Sequence, residues 1–200
     1  VHWKQKGGNS LKGQEENVYQ VTQKILSKLK VQEDMASGKA ALAALRHSLG
    51  KPLGNSPAVC RILLENMPET FLSKNGIETK EERAIYAALQ LYAIQKQGRR
   101  GKEASDMVKN IGEALRKLRA DASREAMDRR FVSVLSAASF ADFLYQLRQL
   151  VKLAKAKKAL PVDFAALAED LYWYQIGARE KVCLRWAEAY YRIEKKKEDK

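Results

Sequence analysis

The sequence predicts an all-α protein made of two antiparallel helical bundles joined by a short basic linker. Ala and Leu dominate the apolar residues, and only four prolines and eleven glycines interrupt the 200 residues. Such a composition favours helix. Several segments carry apolar residues at helical spacing, and none alternates apolar and polar residues as a half-buried strand does. The apolar fraction of 46% is sufficient for a folded core.

The first predicted bundle covers residues 14–97. Gly50 followed by Pro52 is a helix stop, and Ser56 followed by Pro57 is a helix start. Thr79-x-x-Glu is typical of a capping box, in which a hydroxyl and a carboxylate satisfy free backbone N–H groups. Helices are predicted at about 15–30, 37–49, 57–66 and from 79 onward.

The second predicted bundle covers residues 103–193, after a glycine-flanked linker at 97–102. Ser139 and Asp163 are predicted N-caps. The polar segments 1–13 and 194–200 are predicted to be flexible tails. Helices are predicted at about 104–119, 122–137, 140–159, 163–176 and 178–193.

The chain has few groups suited to catalysis, which predicts that it is not an enzyme and has no cofactor or metal site. Its two histidines, His2 and His47, belong to no metal-binding or triad motif, and no nucleotide-binding glycine motif occurs. Cys60 and Cys183 lie in helical apolar patterns, which predicts small buried thiols in a reducing compartment. No apolar run is long enough to span a bilayer, and no signal-peptide pattern occurs, so a cytoplasmic location without membrane contact is expected.

Charge is the most informative property of the sequence. The formal net charge is +13, and the segment 96–158 holds 16 Lys and Arg against 7 Asp and Glu. A surplus of this size favours an anionic partner. A basic surface that serves solubility alone remains the alternative.

The helix predicted at 140–159 concentrates this charge on one face. Leu144, Leu147 and Val151 form its apolar stripe, and a second row lies about a hundred degrees round the helix. That row suits a phosphate backbone, with its tyrosine available for base stacking. A solvated helix face is the competing interpretation. The row consists of Tyr145, Arg148, Lys152 and Lys155.

Further cations occur in the linker and on the two preceding helices. Cations at a helix C-terminus also stabilise the helix dipole, by about 0.3–1 kcal/mol each, and linker cations can serve solvation alone. With those alternatives open, the candidate nucleic-acid contacts in these segments are Arg99, Arg100, Lys102, Arg116, Arg119, Arg124, Arg129 and Arg130.

An ordered series of short motifs resembles the CasB family, the small subunit of the type I-E CRISPR surveillance complex called Cascade. The resemblance covers residues 36–192. It begins with Leu-Arg-His-Ser-Leu-Gly-Lys-Pro at 45–52 and includes Asn-Ile-Gly-Glu-Ala-Leu-Arg-Lys-Leu at 110–118. The remaining motifs lie at 91–93, 129–131, 134–135, 147–153, 161–164, 170–174 and 185–187.

This resemblance implies a two-bundle helical protein that binds displaced single-stranded DNA and stabilises the R-loop. It also implies two copies packed head to tail, in contact with the backbone and large subunits of the complex. Guide RNA is a second candidate ligand, because backbone contacts are common to both nucleic acids. The positions that match the family's basic surface are Arg46, Arg116, Arg129, Arg130, Arg148 and Lys152.

Two other hypotheses stay open from the sequence. A structural helical protein could use the same basic surface to bind acidic protein partners. A magnesium nuclease would need clustered carboxylates, and the adjacent Glu169 and Asp170 are predicted to diverge on a helix.

Overall fold

The computed structural model describes residues 16–98, 108, 110–121, 124–156 and 162–192, and it confirms the all-α prediction. Short 3-10 turns at Leu53–Asn55 and Glu69–Phe71 flank the third helix, and a kink at Tyr174–Ala178 joins the last two. The helices are α1 (Val18–Val31), α2 (Ala36–His47), α3 (Pro57–Leu64), α4 (Lys80–Lys96), α5 (Ile111–Asp121), α6 (Arg124–Leu135), α7 (Phe140–Ala156), α8 (Phe164–Trp173) and α9 (Arg179–Tyr191).

The start of α5 differs from the prediction. α5 begins at Ile111, and Val108 instead forms an isolated parallel bridge with Val162. The side chain of Asn110 then accepts a hydrogen bond from the backbone N–H of Gly112 at 2.8 Å. The predicted start at residue 104 is therefore too early, because the side chain of Asn110 caps the N-terminus of the helix.

α4 is the central helix of the molecule. Every residue from Ala84 to Gln95 is buried, and α1, α2, α7 and α8 all pack against it. Four alanines, at 84, 87, 88 and 93, let neighbouring helices approach from several sides, so the whole circumference is covered.

α8 packs against both α1 and α4. Its predicted N-cap is confirmed, since Asp163 accepts from the backbone N–H groups of Ala165 and Ala166 at 3.0 and 3.1 Å. The other carboxylate oxygen of Asp163 accepts from the Tyr19 hydroxyl at 3.4 Å. α1 and the start of α8 are thus in direct contact. The predicted bundle boundary at 97–103 stays a prediction, because residues 99–107 lie outside the described residues.

The other predicted helix starts are confirmed in part. Thr79 and Glu82 form the capping box, with hydrogen bonds of 2.8 and 3.0 Å between side chain and backbone. The Ser139 hydroxyl accepts from the backbone N–H of Asp142 at 3.1 Å. Ser56 occupies the N-cap position of α3, but its side chain makes no capping hydrogen bond.

A buried aromatic cluster joins α7 and α9. Trp186 is fully buried, and its ring lies 5.4 Å from that of Phe143 between centroids. Its indole N–H donates to Asp170 at 2.6 Å, and Arg185 pairs with the other carboxylate oxygen. Burial raises the pKa of Asp170 to about 6, against the opposing influence of Arg185 and Trp186. Asp170 therefore has a structural role toward α9.

Gly112 lies where α5 crosses α9. A Cβ atom at this position would overlap the backbone carbonyl of Trp186. We expect Gly112→Ala to push the two helices apart and to cost about 1–3 kcal/mol of unfolding free energy, measurable by guanidinium denaturation. Gly54→Ala is the control, because a Cβ there meets no atom within 4 Å. Equal destabilisation by both substitutions would contradict the close helix contact.

Two further expectations concern the cysteines and membranes. Cys60 and Cys183 are free thiols, as predicted, but both are only partly buried. Of the helices in the described part of the chain, none combines the length and apolar character that a bilayer crossing requires. The cytoplasmic location stays a prediction.

Candidate nucleic-acid interface

The C-terminal end of α2 is fixed to α4 by a buried polar network. Gln90 donates to the backbone carbonyl and the hydroxyl of Ser48 at 2.8 and 3.1 Å. The Tyr86 hydroxyl lies within hydrogen-bond distance of the carbonyls of Ser48 and Lys51, at 3.1 and 3.2 Å. These bonds satisfy carbonyls that the end of a helix leaves free. They also hold the last turn of α2, which carries Arg46 and His47, in one position.

The chain turns at Gly50, just after the end of α2. Gly50 has a φ of +76°, a conformation that glycine adopts without strain, which confirms the predicted helix stop. A Cβ atom at Gly50 would lie 3.5 Å from a terminal nitrogen of Arg148. The turn after α2 thus lies directly against the cationic row of α7.

A cleft of about 380 Å³ opens where the ends of α2, α4 and α7 meet. Its floor includes the apolar side chains of Leu49 and Ile94. Among the described residues that line it, none is acidic. The described residues that line it are Arg46, His47, Leu49, Ile94, Gln97, Lys152, Lys155 and Ala156.

Three cations of this cleft keep their charge available for a ligand. Arg46 donates to the backbone carbonyl of Ala93 at 3.3 Å, and Lys155 donates to the amide oxygen of Gln97 at 2.9 Å. Both acceptors are uncharged. Lys152 is exposed, and within the described part of the chain no hydrogen bond or ion pair holds it. In contrast, the nearby Lys96 is neutralised by Glu33 at 2.8 Å.

Helix dipoles offset only part of this charge. The C-termini of α2, α4 and α7 meet at the cleft, and each carries about half a negative charge. Together they offset about half of the three positive charges on Arg46, Lys152 and Lys155. Counted over the described lining residues, the cleft therefore stays net positive, and none of these residues offers a carboxylate that an anion would have to displace.

Arg148 lies beside the cleft, one turn before Lys152 on α7. It is half-buried, its Nε has no hydrogen-bond partner among the described residues, and burial lowers the pKa of its guanidinium. A buried donor without a partner is costly.

Of the predicted contacts on α5 and α6, those with described side chains do not line this cleft. Arg116 donates to the backbone carbonyl of Arg192 at 3.4 Å, which joins α5 to the end of α9. Arg130 donates to the carbonyl of Ala126 in its own helix at 3.1 Å, while Arg124 and Arg129 are exposed. Tyr145 is 54% exposed on α7, in the position predicted for a stacking residue. The role of these side chains in binding stays a prediction.

Four other predicted contacts cannot be placed. Arg99, Arg100 and Lys102 lie outside the described residues. Arg119 falls on the backbone of α5, but its side chain is not among those described. The tails at 1–13 and 194–200 also lie outside this range.

Sequence reasoning missed several residues of the cleft. His47 belongs to no metal-binding or triad motif in the sequence, but it lies exposed in the last turn of α2 and lines the cleft. Its position next to Arg46 was the one signal that could have indicated this. Leu49, Ile94 and Gln97 offered no signal, because their part in the cleft depends on how α7 crosses α2 and α4.

The described residues give little support for metal chemistry. No group of three or more His, Cys, Asp or Glu side chains within the described ranges could hold a metal ion. Glu169 and Asp170 diverge as predicted. Asp170 contacts α9, whereas Glu169 acts electrostatically on Tyr19 of α1.

Comparison with known proteins identifies the family. The model of the CRISPR-associated protein Cse2 family matches residues 41–191. The crystal structure of CasB from Thermobifida fusca is similar, with 27% identity, a TM-score of 0.64 and coverage of 88% of this chain and 96% of that one. A Cse2-family protein from Thermus thermophilus has 28% identity and a TM-score of 0.62, covering 85% of this chain and 97% of its own.

The fold also occurs in a chain of a structure described as a CRISPR RNA-guided surveillance complex. The TM-score is 0.68 at 20% identity, over 88% of this chain and 94% of that one. No curated protein matches the sequence. The family match spans most of the chain, the resemblance to CasB found in the sequence is confirmed, and the chain belongs to the Cse2 family of CRISPR-associated proteins.

Proposed function

We propose that this chain is a non-catalytic small subunit of a type I-E Cascade complex and that it holds a displaced single DNA strand in the cleft between α2, α4 and α7. Family membership supports the association with a CRISPR complex. The observation that carries the DNA-binding role is the cleft itself, whose lining holds three available cations and no described acidic residue.

Energetics explain why such contacts suffice for R-loop stabilisation. The free energy of exchanging a DNA duplex for a heteroduplex of guide RNA and DNA is close to zero. A small gain from holding the freed strand therefore shifts the exchange toward the open state. Contacts to phosphates provide this gain without selecting a sequence.

The cleft joins helices from both predicted bundles, which favours a strand that crosses the molecule at this point. α2 and α4 precede the predicted linker, and α7 follows it. Arg148 continues the cationic row along α7, beyond the cleft. A strand that follows this row would pass from the cleft toward the exposed ring of Tyr145.

The proposal also includes the partners that the family resemblance implies. Two copies of the chain would pack head to tail and contact the backbone and large subunits. Guide RNA shares the phosphate backbone of the displaced DNA strand and would compete for the same cleft. The chain would provide binding only, and cleavage would belong to other components.

A salt titration of single-stranded DNA binding tests the proposal. With three or four phosphate contacts, we expect the logarithm of the binding constant to fall with the logarithm of salt concentration at a slope of about −2 to −3. Fluorescence anisotropy with a labelled oligonucleotide measures this slope. Incubation of the same oligonucleotide with protein and magnesium should leave it intact.

Competition separates this function from the binding of acidic proteins. An unlabelled single strand should displace the labelled one completely. A protein that binds no DNA at moderate salt, yet retains an acidic polypeptide, would contradict the proposal and support the structural alternative. Cleavage of the oligonucleotide by the purified chain would contradict the non-catalytic role.

A further inference from the structure

The cleft contains more than a binding site for phosphate requires. A phosphate site needs cations and hydrogen-bond donors, which Arg46, Lys152 and Lys155 supply. This cleft also has an apolar floor that includes Leu49 and Ile94, with Ile94 only 4% exposed. An apolar floor contributes nothing to binding a phosphate, but it favours a flat heterocyclic group.

An aromatic side chain and an amide complete this lining. The imidazole of His47 is exposed at the cleft, and histidine is one of the side chains on which unpaired bases stack. Gln97 lies in the lining with its amide oxygen bound to Lys155 at 2.9 Å. Its amide group can form hydrogen bonds with a ligand that lies on the apolar floor of the cleft.

The volume of the cleft is consistent with such a ligand. At about 380 Å³ it lies within the range of about 300–1,000 Å³ that small-molecule sites occupy, and it can contain one base with its sugar. The bases of a duplex are stacked and paired within the helix, so they cannot enter. A single strand can place a base in the cleft while its flanking phosphates stay at the cationic side chains.

We infer that the cleft binds one unpaired nucleobase, stacked on His47 above the floor of Leu49 and Ile94, while Arg46, Lys152 and Lys155 hold the flanking phosphates. This inference rests on the proposed function and deepens it. Phosphate contacts alone do not distinguish single strands from duplexes. A base-accepting cleft makes the site selective for the unpaired strand.

Oligonucleotides with and without bases test the inference. The full chain is titrated with a labelled single strand and with the same strand carrying abasic sugars. We expect the intact strand to bind at least about five times more tightly than the abasic one, because stacking one base on an aromatic side chain contributes about this much affinity. Equal affinities for the two strands would overturn the inference.

Variants assign this preference to the cleft. His47→Ala should remove the preference by lowering the affinity for the intact strand only. His47→Phe should retain the preference. Lys152→Gln should lower the affinity for both strands by the same factor. If His47→Ala weakens both strands equally, or His47→Phe behaves like His47→Ala, stacking on this residue is refuted.

Failure of the inference is distinguishable from failure of the proposed function. If both strands bind with equal affinity and both lose affinity in Lys152→Gln, the cleft holds phosphates only, and the DNA-binding role stands without the base. If neither strand binds to the wild-type chain, the proposed function itself fails and the inference fails with it.

Discussion

Single-stranded DNA binding is expected to weaken by about 100-fold when Arg46, Lys152 and Lys155 are all replaced by Gln. Each cation contributes about 1 kcal/mol through a contact with a phosphate, and about 1.4 kcal/mol corresponds to a factor of ten. The slope of the logarithm of the binding constant against the logarithm of salt concentration should also become shallower by about 2, since each lost phosphate contact removes about 0.7 from it. An anisotropy titration at several salt concentrations measures both quantities.

A control variant with the same loss of charge makes this result specific. Lys39, Lys74 and Lys80 are exposed and lie outside the cleft lining. Replacing all three with Gln lowers the net charge equally, and we expect affinity to change by less than about threefold, because exposed charges at a distance are screened. Similar losses in both triple variants would mean that total charge, and not the cleft, determines binding.

The second large effect is expected from Trp186→Ala, which should lower the unfolding free energy by about 3–5 kcal/mol. Trp186 is fully buried against Phe143, and its indole N–H is a hydrogen-bond donor to Asp170. The substitution leaves a cavity and removes this donor from a buried carboxylate. Because domains are stable by about 5–15 kcal/mol, the variant should unfold at a much lower guanidinium concentration by circular dichroism.

Another tryptophan in the same part of the chain provides the control. Trp173 is 41% exposed at the end of α8, so Trp173→Ala should change the unfolding free energy by about 1 kcal/mol or less. If Trp186→Ala is itself too unstable to purify, Trp186→Phe should still be destabilised, because it loses the donor to Asp170. Equal unfolding midpoints for the Trp186 variants and the wild type would contradict the assigned core.

The fold could be predicted largely because its signals are local. Helix-favouring composition, capping residues such as Thr79 and Asp163, and the stop at Gly50 act within a few residues of their position. The missing information concerned contacts between distant segments. The burial of α4 on all sides follows from how α1, α2, α7 and α8 pack against it, which no periodicity within one helix indicates.

The candidate site was predictable only in part for the same reason. The spacing on α7 showed that Arg148, Lys152 and Lys155 share a face, and the structure places Lys152 and Lys155 in the cleft. The sequence also predicted contacts on α5 and α6, and of these Arg116, Arg124, Arg129 and Arg130 do not line the cleft. In the structure the row faces Arg46 of α2, a contact set by the hydrogen bonds of Gln90 to Ser48.

Photo-crosslinking tests most directly the claim that the cleft holds the single strand. An oligonucleotide with photoreactive thymines is bound to the wild-type chain, irradiated, and digested so that crosslinked peptides can be mapped by mass spectrometry. We predict crosslinks within residues 46–49 and 145–156, reduced in the triple Gln variant. Crosslinks confined to α6 or to other surfaces, with the cleft peptides unmodified, would contradict the account.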